Sequence, residues 1–459
     1  MTYSRRDALK LAAIIGALPL FSGFASRNVE AQSGRALPWR NWSGGQTANP
    51  AARVAPTGLD QLIDIVRASP GPVRAVGAGH SFTPLVPTGG TILSLSRFSG
   101  LKDADRASMQ ATFGAGTRLG DIGPALDQVG QAMINMPDID EQSLAGSIAT
   151  GTHGTGASLT ALPGYVTGLQ VVSGKGDVID CDATSNAEIF EAARISLGAL
   201  GIVTEIHLQN REPYRLHRAV WVEEFDTMVD KAESLAAKHR NFEFYTIPYS
   251  GRCLAITHDE TDAPIRPRQV TNDDEGLEQL KLLEDWLGWS NWLRRKVTNT
   301  IADDIPREEH VDRSWKIYPS DRAVRFNEME YHLPAENGPA ALRAIKNAIE
   351  DNDVDVWFPF EYRFVKGDDM WLSPFHGRDS VSIAVHRYFK EDYQPLFRVI
   401  EPIFRKFGGR PHWGKLHTMT HQELSVAYPR LKDFNRIRQE LDPDGRFLSP
   451  YLRALLTGA

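Results

Sequence analysis

The chain has 459 residues, 42% hydrophobic and 24% charged, and its 51 Lys and Arg against 58 Asp and Glu give a formal net charge of −7. That length suits two or three domains with sizeable cores and excludes disordered and collagen-like classes; the acidic balance gives no general attraction to nucleic acid or to an anionic membrane. Two cysteines exclude a disulfide framework and a cysteine-built zinc site, so function has to be sought in local pattern.

Residues 1–31 read as an export signal. Ser4-Arg5-Arg6-Asp7-Ala8-Leu9-Lys10 precedes an apolar run, Leu11 to Leu20, that Gly16 and Pro19 break. The run is too short to span a bilayer, which needs about 20 apolar residues. Small residues at Ala25 and Ala31 suit cleavage, and the paired arginines resemble a twin-arginine signal, with Ala8 where Phe is usual. Cleavage after Ala31 leaves 47 bases against 56 acids, a net charge of −9. The expected location is periplasmic or extracellular; a retained N-terminal anchor is the alternative.

After a lead-in containing Trp39 and Trp42, Thr57 is expected to cap a helix over Gly58 to Ala68, with Leu59, Leu62, Ile63 and Val66 on one face. Pro70-Gly71-Pro72 ends it, and Val73 to Val76 reads as a strand. Further strands are expected at Thr91 to Leu95, Ala111 to Phe113, Leu169 to Val172, Val178 to Cys181 and Val203 to Leu208. Helices are expected at Arg118 to Val129 and Ala187 to Ser196. A second region begins with a strand at His217 to Val222 and an amphipathic helix at Phe225 to His239. Asp259 to Glu278 reads as a solvated charged insertion. Leu280 to Val297, with Trp286, Trp289 and Trp292 ahead of Arg294-Arg295-Lys296, reads as a helix packed on this second region, with an interfacial helix as the alternative. A helix at Gly338 to Asp351 and strands at Trp357 to Val365 and Ser380 to Tyr388 follow. Cys181 and Cys253 fall in different regions, which favours two separate buried thiols over a disulfide.

Three segments are rich in glycine, and the second is almost free of charge after Glu141. Arg74-Ala75-Val76-Gly77-Ala78-Gly79-His80-Ser81-Phe82 runs from a strand into a turn whose small residues let main-chain amides approach an anion. No convincing helix follows, so the nicotinamide-type fingerprint does not fit; alone, the segment reads equally as a strand-turn with a surface histidine. Asn135 to Gly156 supplies hydroxyls and amides dense enough to hold a diphosphate without lysine. Leu197-Gly198-Ala199-Leu200-Gly201-Ile202-Val203 puts two glycines ahead of an apolar strand. Farther on, Phe360 to Val365 alternates so that Glu361 and Arg363 share a face, a pair able to grip hydroxyls or to form an ordinary surface ion pair. Ser382, Ala384, His386 and Tyr388 share a face of the next strand, and Pro411-His412-Trp413-Gly414-Lys415-Leu416-His417 closes the set.

Taken together, these segments resemble the FAD-binding domain of the vanillyl-alcohol oxidase and p-cresol methylhydroxylase flavoproteins, and most closely the sugar-lactone oxidase and alditol oxidase branch. The resemblance implies an α+β, two-domain flavoprotein. A PCMH-type FAD-binding domain would span 42–209, a substrate cap domain 211–420, and a C-terminal segment, 435–459, would return to the FAD domain. It implies FAD held by Gly77, Ala78, Gly79, His80, Ser81, Phe82, Ser143, Gly146, Ser147, Thr150, Gly151, Thr152, His153, Gly154, Gly201, Ile202, Val203 and Lys415, with a covalent bond from His80 to the flavin 8α-methyl group and His153 structural. It further implies that Glu361 and Arg363 bind substrate hydroxyls, that Lys415 lies near flavin N1–C2=O, and that His386 serves as a base or orients a hydroxyl. His412 and His417 would pack behind them. Pro137 occupies the position that governs oxygen access, where Gly or Pro accompanies oxidases. Asp138 stands where alditol oxidases carry Ser, and its carboxylate disfavours anionic substrates.

The implied activity is FAD-dependent oxidation of a sugar, aldonolactone or polyol, with hydride passing to flavin N5 and O2 giving H2O2. A same-fold dehydrogenase serving a quinone or cytochrome, and a non-catalytic flavin- or carbohydrate-binding protein, are the alternatives. No metal and no nucleic-acid partner are implied, and membrane association is not favoured.

Overall fold

The computed structural model of the protein describes residues 37–268, 274–287, 289–319 and 324–459. The expected export signal lies outside these residues. In the N-terminal half, alternating apolar residues build a six-stranded antiparallel sheet in the order Val178–Asp182, Val166–Val172, Ile202–Arg211, Gln110–Gly114, Leu101–Asp105, with Ala132–Met133 pairing the far end of Ile202–Arg211. Ala52–Val54, Thr91–Ser94 and Val73–Val76 form a separate parallel sheet. Parallel strands need a crossover connection, and the Leu59–Ala68 helix supplies one, burying Leu62 and Val66. Its N-cap is Gly58. Thr57 does not cap it; its N–H and hydroxyl both meet Gln61 Oε1, at 2.8 and 3.2 Å. The helix expected at Ala187 to Ser196 stops at Ala193.

The second half is an eight-stranded antiparallel sheet in the order Glu308–Arg313, Arg215–Glu224, Arg252–Glu260, Asn241–Thr246, Phe360–Val365, Ser380–Tyr388, Phe326–Pro334, Arg410–Pro411. Helices Phe225–Lys238, Gly338–Asp351 and Gln394–Lys406 cover one face of it. Their apolar residues, among them Met228, Ile345 and Ile400, share a cluster with Phe244, Tyr362, Ile383 and Tyr331 from the strands. Five strands of this sheet are absent from the sequence reading: Asn241–Thr246, Arg252–Glu260, Glu308–Arg313, Phe326–Pro334 and Arg410–Pro411. Phe326–Pro334 carries Glu328, Glu330 and His332 at alternate positions, and that pattern hides a strand whose polar face is buried by another part of the protein rather than wetted.

The stretch expected to be a solvated insertion, Asp259 to Glu278, begins inside a strand and ends inside a helix, Asp274–Leu287. The single tryptophan-rich helix expected over Leu280 to Val297 is two helices. Ser290 caps the second, Asn291–Asp303, by accepting from the Leu293 N–H. That helix docks through Arg294, Thr298 and Ala302, while Trp286, Trp289 and Trp292 are 71–80% exposed. None of the described helices is long and apolar enough to cross a membrane.

The C-terminal helices His421–Ala427, Leu431–Leu441 and Pro450–Thr457 return to the first half, where Tyr428, Phe434, Phe447 and Leu452 are buried among Leu62, Val73, Ile148 and Leu200. Arg74 fixes the junction. Its guanidinium is 3% exposed and donates to the carbonyls of Leu85 at 2.9 Å, Leu197 at 2.7 Å, Gly198 at 2.6 Å and Phe447. A buried charge persists only when its donors are satisfied; here four main-chain oxygens satisfy them.

Cys181 and Cys253 are both free and buried, one in each large apolar cluster. Burial pushes both thiols up to about 12, which keeps them unreactive. A thiol reagent should therefore find no fast-reacting cysteine in the native protein and two after denaturation, and reducing agent should leave the melting temperature unchanged.

Candidate active site

A cavity runs between the glycine-rich segments and the uncovered face of the eight-stranded sheet. Its first wall is built by close approach. A Cβ on Gly77 would lie 1.9 Å from Ser143 Oγ, so glycine is required for the turn to meet the start of the Leu144–Thr150 helix. Gly79 adopts φ +72°, in the left-handed region that favours glycine. A Cβ on Gly201 would lie 2.5 Å from the Val172 carbonyl oxygen. Gly77, Ala78, Gly79, His80, Ser81, Phe82, Ser143, Gly146, Thr150, Thr152, His153, Gly201, Val203 and Lys415 all line the cavity.

Four residues expected there do not line it. Ser147 turns its hydroxyl back to the Leu144 carbonyl at 2.8 Å. Gly151 ends the helix in the left-handed conformation, φ 78°. Gly154 packs against Met136, whose carbonyl oxygen would sit 2.4 Å from an added Cβ. Ile202 is 1% exposed in the apolar cluster.

His80 stacks on Trp42, with ring centroids 5.0 Å apart. Burial, helped by the nearby charges of Lys415 and Arg118, pushes its imidazole down to about 4, so it is neutral at ordinary pH.

The opposite wall follows from strand register. Glu361 pairs with Tyr245 on one side and Ala384 on the other; Arg363 pairs with Glu243 and Ser382; Glu328 pairs with His386, and Glu330 with Ala384. Alternation then puts Glu243, Tyr245, Glu361, Arg363, Ser382, His386, Glu328 and Glu330 on one face. Arg363 is the hub. Its Nε donates to Glu243 Oε2 at 2.7 Å, and its Nη2 lies 2.6 Å from Glu361 Oε1 and 3.1 Å from Asp138 Oδ1. Asp138 comes from the loop that also carries Pro137, and both line the cavity. The Asp138–Arg363 pair therefore ties that loop to the sheet. Lys415 donates to Glu328 and lies 3.8 Å from Glu330 Oε2. Glu330 also accepts from His153 Nε2 at 2.8 Å and from Ser382 Oγ.

Sequence reasoning placed Glu361, Arg363, His386 and Lys415 together in a site, and all four line the cavity. It missed Glu328, Glu330, Tyr245 and Glu243. The signal was there: Glu328-x-Glu330-x-His332 repeats with period two, as does Glu243-x-Tyr245. His412 Nδ1 accepts from the Gly414 N–H at 3.0 Å and shapes the Lys415 turn. His417 bonds Tyr451 at 3.2 Å and lies outside the cavity lining.

Burial makes these charges costly. It pushes Glu361 up to about 8, opposed by Arg363 and reinforced by Asp138 and Glu243. It likewise raises Glu328 to about 7 against the pull of Lys415. Arg363 and Lys415, each facing several carboxylates, are held above their ordinary values despite burial.

The first wall suits a dinucleotide that carries its own diphosphate: close main chain, hydroxyls, and no lysine in the three glycine-rich segments. The second suits a polyhydroxy molecule. Residues 50–182 match the FAD-binding domain family, and the protein is an FAD-dependent oxidoreductase. Residues 206–455 match the D-arabinono-1,4-lactone oxidase family, and the chain belongs to that family. It is 34% identical to the L-gulono-1,4-lactone dehydrogenase of Mycobacterium tuberculosis, over 91% of this chain and 99% of that one. It is 29% identical to the L-gulonolactone oxidase of Bos taurus, over 91% and 98%, and 29% identical to the alditol oxidase of a Streptomyces species, over 91% and 99%. Among solved structures, a solvent-stable cholesterol oxidase shares the fold with a TM-score of 0.76 at 17% identity, over 91% of this chain and 97% of that one.

Two outcomes follow from the charged wall. Arg363→Met leaves Glu243, Glu361 and Asp138 facing one another, and should lower stability by about 3–5 kcal/mol in denaturant unfolding. Glu361 is protonated more readily in the folded chain than at its ordinary value of 4.5. Its contribution is thus fully present at low pH and is lost as pH rises through about 8. Glu361→Gln should flatten the fall in melting temperature across that window.

Proposed function

We propose that the protein oxidises an alcohol group of a sugar lactone or polyol and that O2 takes the electrons, yielding hydrogen peroxide. The observation that carries the reading is the Glu361–Arg363 pair, buried and cross-braced, facing the glycine-rich wall across one cavity. FAD, when bound, supplies the two-electron acceptor.

The chain's own residues then hold and polarise the substrate. Glu361 accepts from hydroxyls or, when protonated, donates; Arg363 donates and stays cationic. Their geometry is fixed in advance by Tyr245, which donates to Glu361, and by Glu243 and Asp138 on Arg363. Pre-orientation of this kind can lower a barrier by roughly 7–11 kcal/mol at most. Lys415 puts an ammonium group in the cavity, the charge that offsets an anion formed on reduction. The carboxylates of Asp138 and Glu328 disfavour an anionic substrate and suit neutral lactones and polyols.

Three finer features belong to the same proposal. FAD is linked covalently through His80; its neutral imidazole, buried against Trp42, keeps a lone pair available as a nucleophile. Pro137, with no N–H and a fixed φ, shapes oxygen access beside Asp138 and supports the oxidase. The paired arginines Arg5 and Arg6 direct the chain out of the cytoplasm. A second reading, a dehydrogenase delivering electrons to a quinone or cytochrome, is favoured by the name of the relative at 34% identity.

Anaerobic bleaching of the flavin by a panel of lactones, alditols and aldoses tests the reaction. Peroxide formed in air at the rate of substrate loss supports the oxidase, and turnover only with an artificial acceptor supports the dehydrogenase. Acid precipitation should leave flavin on the wild-type protein and release it from His80→Ala.

A further inference from the structure

Alcohol oxidation removes a hydride from the carbinol carbon and a proton from its oxygen. The proton needs an acceptor within the cavity, and most ionisable groups there are committed. Arg363 and Lys415 already carry their protons. Glu330 accepts from His153 and Ser382 and is held well below the usual carboxylate range by its positive neighbours, despite burial, which leaves it a weak base. Asp138 is paired with Arg363. Glu361 already accepts from Tyr245 and lies against Arg363, and burial leaves it largely protonated at neutral pH. His412 turns Nδ1 toward the Gly414 N–H.

Glu328 differs. It lines the cavity with its side chain 4% exposed. One carboxylate oxygen accepts from Lys415, and the other lies 3.7 Å from His386 Nε2. The Phe326–Pro334 and Ser380–Tyr388 strands place Glu328 and His386 directly opposite one another, so the sheet fixes this pair. His386 Nδ1 lies 2.9 Å from the Pro359 carbonyl oxygen, which sets the plane of the ring.

We propose that Glu328 is the catalytic base, with His386 and Lys415 as its positioning residues. This rests on the alcohol-oxidation reading above. In the step, the substrate O–H bond breaks and its proton passes to the Glu328 carboxylate. The C–H bond breaks with its electron pair, for which bound FAD would be the acceptor, and the C=O bond forms. Glu328 is left as the neutral acid and returns the proton to solvent before the next turnover. The charged and titratable groups facing Glu328 are Lys415 from the turn after Arg410–Pro411, His386 from the neighbouring strand, Glu330 from its own strand and Asp138 from the glycine-rich half. Their balance with burial puts Glu328 at about 7, so it changes protonation state near neutrality. A base must be ionised to act, so the rate should rise with pH through about 7 and level off above it.

The test uses the flavin-loaded protein and the variants Glu328→Gln and Glu328→Asp. Anaerobic flavin reduction by a lactone or polyol should slow by roughly 10²–10⁴-fold in Glu328→Gln. Its rise through neutral pH should vanish, with little change in the substrate concentration giving half-maximal rate. Glu328→Asp, still ionisable, should keep a pH-dependent limb at a reduced rate. A second measurement needs no turnover: the infrared difference between wild type and Glu328→Gln should contain a protonated-carboxyl band that titrates near neutral pH, over and above the band of Glu361 that both proteins keep. A Glu328→Gln protein that reduces its flavin at the wild-type rate with the wild-type pH profile overturns the proposal, as does an infrared difference between the two proteins with no carboxyl band titrating near neutral pH. If Glu328→Gln does not fold, the pH profile and carboxyl band of Glu328→Asp decide, and unchanged values overturn the proposal. If no lactone or polyol bleaches the wild-type flavin, the substrate reading fails, and the infrared titration still decides whether Glu328 is the group that ionises.

Discussion

Alternation in the eight-stranded sheet constrains everything else. Successive side chains on a strand point to opposite faces, so strands that bury Phe244, Tyr362, Ile383 and Tyr331 beneath helices must present Glu243, Tyr245, Glu361, Arg363, Ser382 and Glu330 on the other side. In an isolated sheet that second face would be wet. Here the glycine-rich half covers it, and the charges have to satisfy one another across strands. Arg363 with three carboxylates, and Lys415 with two, are the result. Such an arrangement is weak as a source of stability. What it supplies is a set of polar groups held at fixed spacing in a place from which water is largely excluded.

The two walls divide the work by chemistry. Close main-chain approach at Gly77 and Gly201 builds one wall largely from backbone and small side chains, with Arg74 and Arg118 beside them. Formal charge is concentrated on the other. A large planar cofactor and a small hydroxylated molecule therefore meet different surfaces of one cavity, and each surface is built from a different part of the chain. Asp138 is the exception: it belongs to the first half by sequence and to the charged wall by contact.

Much of this was legible in the sequence, and the reasons for the gaps are physical. The three glycine-rich segments were readable because close approach and left-handed backbone leave few residue choices. Glu361, Arg363 and Lys415 were placed in the site by the family resemblance of their short motifs, because alternation alone reads equally as a surface ion pair. The Phe326–Pro334 strand was missed, and Glu328 and Glu330 with it, because Asn-Glu-Met-Glu-Tyr-His looks solvated until another part of the protein is laid over it. Ser147, Gly151, Gly154 and Ile202 were assigned to the cavity because they sit inside the right motifs. Helical phase and strand pleat turn those residues away from the cavity, and a motif does not encode which of its members face inward. The break at Ser290 was obscured for a similar reason: three tryptophans suggested one apolar helix face, whereas Arg294, Thr298 and Ala302 make the contacts.

Arg74 has a consequence for the order of assembly. One of its four carbonyl partners belongs to Phe447, 373 residues away, and the apolar cluster that it borders includes three helices that follow every strand of the cap sheet in the chain. Contacts of such long sequence separation form late, because the intervening chain must be closed first. The cap sheet, by contrast, draws on strands between Arg215 and Pro411 and has all its parts before the last helices emerge. A nascent chain released before residue 447 would thus own a complete substrate wall and an unfinished cofactor wall. The helices between His421 and Thr457 therefore act as a clasp: they convert a finished half and an open half into a closed cavity.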